Sequence, residues 1–72
     1  MGNSTVYKGV TIVTEGFDMV TEAKVINKMK EYLSKNFNVH DAALSVATLC
    51  KCDVENRSKK EIKFISRQAK KH

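Results

Sequence analysis

Asp41-Ala42-Ala43-Leu44-Ser45-Val46-Ala47-Thr48-Leu49-Cys50-Lys51-Cys52 is the stretch on which the fold turns, because its apolar residues fit two different periods. Read as a helix capped by Asp41, it gathers Ala42, Ala43, Val46, Ala47, Leu49 and Cys50 within about 160° of the wheel and leaves Leu44 outside that arc. Read as a strand, it alternates through Leu44, Val46, Thr48, Cys50 and Cys52 to Val54. Three alanines within six residues tip the balance towards the helix, since Ala is the best helix former and is depleted in strands.

Upstream, residues 20–36 carry the clearest periodicity in the chain. Val25, Ile26, Met29, Tyr32, Leu33 and Phe37 fall within an arc of about 140°, with Lys24, Asn27, Lys28, Glu31, Ser34 and Lys35 opposite, so an amphipathic helix is expected. Asp18 or Thr21 is suited to cap its start, and Asn36 and Asn38 to stop it. Residues 5–14 are rich in β-branched side chains and predict an extended strand with Val6, Val10 and Ile12 on one face. Gly9 marks a bulge in it, or Lys8-Gly9 makes a turn that shortens it to 10–14.

Downstream, residues 53–57 read as a polar connection, and Ser58-Lys59-Lys60-Glu61 matches a capping box that would open a further helix at Lys59. On that wheel Ile62, Ile65 and Ala69 form a narrow apolar stripe, while Lys59, Lys60, Lys63, Arg67, Lys70 and Lys71 fill about 120° beside it. Phe64 lies at the edge of the basic arc, where an aromatic ring can stack on a base. In a competing strand reading Ile62 and Phe64 share an inward face and Phe64 is core.

The expected fold class is therefore mainly α: one small three-helix domain, helix-turn-helix-like, with an N-terminal extended strand. Residues 1–16 would be the arm, 17–58 the helical core and 59–72 a basic C-terminal helix or tail. The alternative is an α+β domain in the order β-α-β-β, which follows if residues 43–54 are a strand. A lone strand leaves its N–H and C=O groups unpaired, and the same strand of a second copy would satisfy them, so a homodimer is a further expectation. The order of a strand and two helices resembles the ribbon-helix-helix architecture, in which paired strands enter the major groove. The excess charge, however, sits at the other end of the chain.

Seventy-two residues with three Phe, two Tyr and no Trp support one small core and leave little scaffold for an enclosed pocket. A hydrophobic content of 42% against 29% charged excludes a wholly disordered chain. No stretch approaches the roughly 20 apolar residues of a membrane span, and the start lacks the basic and apolar blocks of a secretory signal, so a cytoplasmic location and no membrane partner are expected. Residues 1–50 balance five Lys against five acids, whereas residues 51–72 hold eight bases against three acids, so the whole net charge of +5 lies in the last third.

That asymmetry points to a polyanion, because clustered cations release counterions from a phosphate backbone. The favoured reading is a small basic, non-catalytic nucleic-acid-binding regulator, DNA before RNA, that contacts phosphates through Arg57, Lys59, Lys60, Lys63, Arg67, Lys70 and Lys71 with Phe64 among them. The alternative is a protein-binding modulator or inhibitor of a repressor, polymerase or nuclease, anchored on Val6, Val10, Ile12, Leu44 and Phe64. No enzyme is expected: phosphate loops, metalloprotease motifs and paired cysteine motifs do not occur, and His40-Asp41 reads as a helix start. No cofactor or metal is expected either, since Cys50 and Cys52 are joined as soft ligands only by His40 and His72.

Overall fold

The computed structural model describes residues 2–67, and they form two hairpins flanking two helices. The elements run β1 (Gly2–Tyr7), β2 (Val10–Glu15), α1 (Met19–Ser34), α2 (Val39–Cys50), β3 (Asp53–Ser58) and β4 (Glu61–Ile65). The sheet has the order β1-β2-β4-β3, antiparallel at both edges and parallel between β2 and β4. This is an α+β fold, and it overturns the mainly α, helix-turn-helix-like expectation. It also differs from the β-α-β-β alternative, because residues 39–50 remain helical.

Polarity decides which strands lie inside. β2 and β4 bury alternate residues, Val10, Ile12 and Thr14 on one and Ile62 and Phe64 on the other. β1 and β3 are polar and take the edges, where one side of the ladder faces water. Both helices cover the same sheet face. α1 contributes Val25, Met29 and Leu33 at four-residue spacing, and α2 contributes Ala42, Ala43, Val46 and Ala47. The small alanines allow α2 to approach closely, while Phe64, Ile12, Met29 and Ile62 are the largest side chains sealed in the core.

Helix ends follow local chemistry. The Asn38 side chain caps α2 by accepting from the backbone N–H of His40 at 2.9 Å, three residues ahead of the expected Asp41 cap. Lys51 ends the helix in the left-handed region at φ 54°, and its N–H returns to helix carbonyls as a C-cap does. The chain is thereby turned into β3.

The expected third helix is the main correction. Ser58 does accept a bond from an orphan amide, but the amide is that of Lys60 at 3.2 Å, and the motif closes a β-turn rather than opening a helix. Beyond it Ile62 and Phe64 point inward at a period of two, and β4 fills the open edge of β2. Long-range pairing supplied by β2 outweighs a helical stripe of only three apolar residues. The N-terminal arm is likewise a hairpin, with the turn at Lys8-Gly9, so β1 pairs with β2 of its own chain and the lone-strand argument for a dimer loses its premise. The two-residue turn also reverses a face: Val10 and Ile12 are buried, whereas Val6 is 67% exposed on the sheet surface away from the helices.

Candidate functional site

Parallel pairing of β2 with β4 has a consequence for charge. Each of these strands is entered from a two-residue turn, and a parallel register sets the two turns side by side at one end of the sheet. The Thr11 N–H donates to the Lys60 carbonyl at 2.7 Å, which pins the turn carrying Lys59 and Lys60 against the foot of β2. The turn carrying Lys8 lies immediately before that foot. Lys8, Lys59 and Lys60 are all exposed, and none forms an ion pair among the described residues.

Tyr7 adds to this end. The ammonium of Lys8 stands 6.0 Å from the centroid of the Tyr7 ring, and that of Lys30, reaching over from α1, stands 5.8 Å from it. Two cations over one ring extend the basic surface from the hairpin turns onto the helical layer. Lys8 and Lys30 belong to the electrically neutral part of the sequence, and chain position gives no sign that they join the basic third.

The residues expected to hold nucleic acid divide into groups. Lys59 and Lys60 occupy the turn. Arg57, near the end of β3, is exposed and has its guanidinium Nε 3.0 Å from Glu55. Lys63 lies on the helix-free face of the sheet, largely covered, with its ammonium 2.7 Å from Glu15. The Lys63 hydrogen bond, reinforced by its charge, holds the Glu15 carboxyl below its ordinary range. Arg67 lies beyond the far end of β4, 3.3 Å from Asp53, so it is separated from the turn by the length of that strand. Phe64 is wholly buried in the core, which overturns its role as a stacking ring. Lys70 and Lys71 lie outside the described residues, as does His72.

Apolar anchors expected for a protein partner fare similarly. Val10, Ile12 and Phe64 are core, and Val6 and Leu44 are exposed on the sheet and the helical layer respectively, so the five do not make one face.

The remaining chemistry is sparse. Among the described residues no three of His, Cys, Asp or Glu gather as a metal site. His40 lies in the first turn of α2, Cys50 is its last residue and Cys52 follows it, so His40 and Cys50 are separated by roughly 15 Å along the helix at about 1.5 Å per residue. A concavity of about 630 Å³ between the outer faces of α1 and α2 is lined by Thr21, Lys24, Lys28, Leu49 and Cys50 among others. Burial raises the Cys50 thiol above its ordinary range, with Lys28 and Lys24 pulling the other way, so it is protonated at neutral pH. Glu22 has a structural part: its carboxylate accepts from Asn3 at 2.7 Å and from the buried Thr14 hydroxyl at 2.8 Å, tying β1 and β2 to α1.

Comparison of the chain with protein-family models, with curated proteins and with solved structures finds no match in any of the three. No helix among the described residues is long and apolar enough to cross a membrane.

Proposed function

We propose that this protein is a small, non-catalytic nucleic-acid-binding module that grips phosphates with the twin-turn end of its sheet. Lys8, Lys59 and Lys60 make the direct contacts, with Lys30 at the margin; Arg57 is paired with Glu55. The observation that carries this reading is the bond from the Thr11 N–H to the Lys60 carbonyl, which fastens one lysine-bearing turn beside the other. Cations without acidic partners keep their full attraction for a polyanion, whereas Lys63, bound to Glu15, is already compensated and is left out of the contact set.

The geometry also changes the mode of contact. With residues 61–65 in a strand, the basic helix expected over them does not form, and turn lysines reach phosphates rather than base edges. Binding is therefore dominated by charge and weakly dependent on sequence. A cytoplasmic setting, duplex DNA before RNA, and a role in regulating transcription belong to this reading.

Fluorescence anisotropy of labelled duplex DNA at 50 and 200 mM salt tests it. Three phosphate contacts give a slope near 2.7 in log affinity against log salt, or roughly a 40-fold loss across that interval. A loss under about threefold, or wild-type binding by Lys59→Gln/Lys60→Gln protein, would sink the proposal.

A further inference from the structure

The two edges of the sheet are not equally defended. β3 carries Asp53, Glu55 and Arg57 along its length, and its register with β4 slips between Asn56 and Ser58, so charge and a bulge both discourage an added strand. β1, Gly2-Asn3-Ser4-Thr5-Val6-Tyr7, has no charged residue, no proline and an unbroken register with β2 over all six pairs. It also exposes Val6 on the sheet surface beside its open edge.

Turn geometry shows which backbone groups that edge offers. Lys8 and Gly9 both have positive φ, 51° and 78°, as in the tight turns that join hairpin strands through two residues. Tyr7 and Val10 flank such a turn as a hydrogen-bonded pair, and bonding then alternates along the antiparallel ladder. The N–H and C=O groups of Val6, Ser4 and Gly2 therefore point away from β2, unpaired by the sheet. They form an uncharged row of alternating donors and acceptors.

We infer that a second copy of this chain occupies the edge, β1 against β1 in antiparallel fashion about a twofold axis, to give one continuous eight-stranded sheet. A strand paired with its own copy is self-complementary, as a twofold interface requires. Charge selects this edge over the other. Every charged residue of the two edge strands lies on β3, as Asp53, Glu55 and Arg57, and none lies on β1. Joining two β1 strands places the two β3 strands seven spacings apart, roughly 33 Å at about 4.8 Å each, well beyond a Debye length of about 8 Å. Joining two β3 strands would set these charged side chains one spacing apart. The inference rests on the edge alone and holds whether or not the turn lysines bind nucleic acid.

Sedimentation equilibrium of the full 72-residue chain, over about 10 to 500 µM, reads the result. The mass is expected to rise from the 8.1 kDa monomer towards twice that value. Ser4→Pro deletes an N–H of the free edge that β2 does not use, so it should remain monomeric with an unchanged far-ultraviolet spectrum. Val6→Lys, which leaves every backbone donor in place but adds a charge to the edge, should also be monomeric and decides the test if the proline variant does not fold. A wild-type chain that stays at 8.1 kDa throughout overturns the inference, and so do folded variants that dimerise as the wild type does.

Discussion

Replacing Phe64 by alanine separates the sheet from the helical reading of residues 59–71 by a wide margin. In β4 the Phe64 side chain is fully buried and belongs to the same core as Ile12, Met29, Val46 and Ile62. Truncating such a ring removes the transfer free energy of its lost atoms and leaves a cavity, together about 3 to 5 kcal/mol. A chain of 72 residues at about 0.05 to 0.15 kcal/mol per residue has a total stability of roughly 4 to 11 kcal/mol. The substitution therefore takes a large share of it, whereas Phe64→Leu, which keeps most of the volume, costs about 1 kcal/mol. Urea unfolding followed by circular dichroism reads both as shifts of midpoint at constant slope. In a thermal scan Phe64→Ala should melt at least about 12 °C below wild type, at about 4 °C or more per kcal/mol for a domain this small. A Phe64→Ala loss under about 1 kcal/mol would put the ring at the surface and refute the placement of β4.

Two further outcomes follow from titrating groups. The Glu15 and Glu22 carboxyls are held below their ordinary value of 4.5, the first by Lys63 and the second by the Asn3 and Thr14 hydrogen bonds. A lowered folded pKa contributes stability that is complete above the unfolded value and is lost as pH falls through the folded one. Urea midpoints should thus be flat from about pH 7 to 5.5 and decline below about 4.5, less steeply in Glu22→Gln; an undiminished decline in that variant would contradict the assignment. The Cys52 thiol is buried and pushed up to about 11 by that burial, with Cys50 adding to it, while Cys50 is only partly buried. Iodoacetamide at pH 8 should therefore label Cys50 well before Cys52, as mapped by peptide mass spectrometry, and labelling of Cys52 first would be inconsistent with its buried place within the α2–β3 connection.

Local periodicity made part of this fold legible. The helix over 19–34 and the helix over 39–50 follow from apolar residues at three- and four-residue spacing and from the alanines, which bear on the backbone directly. The turn at Lys8-Gly9 was one of two readings of a glycine within a β-branched run. What local pattern did not carry is the pairing. Residues 53–58 hold one apolar side chain, Val54, because an edge strand exposes most of its residues, and so they look like a loop. Ser58-Lys59-Lys60-Glu61 fits a helix cap and a hairpin turn equally well, since both need a Ser oxygen near a free N–H two or three residues on. Only the vacancy beside β2 distinguishes them, and β2 lies almost fifty residues away along the chain. The candidate site suffers the same limit. Charge counting picked out Lys59 and Lys60, but the partnership with Lys8 exists only through the parallel register, and the acid beside Lys63 comes from β2, far away along the chain.

That partnership is the point at which chain position and spatial position give opposite forecasts. Lys51 belongs to the basic third of the sequence, yet it lies at the end of α2, beyond the opposite end of the sheet from the turns. Lys8 belongs to the neutral two thirds, yet its turn adjoins that of Lys60. Salt-dependent anisotropy of duplex DNA with Lys8→Gln, Lys59→Gln and Lys51→Gln proteins compares them directly. The account predicts that the first two each reduce the salt slope by about one unit and that the third leaves it unchanged. A slope reduced by Lys51→Gln and untouched by Lys8→Gln would contradict it.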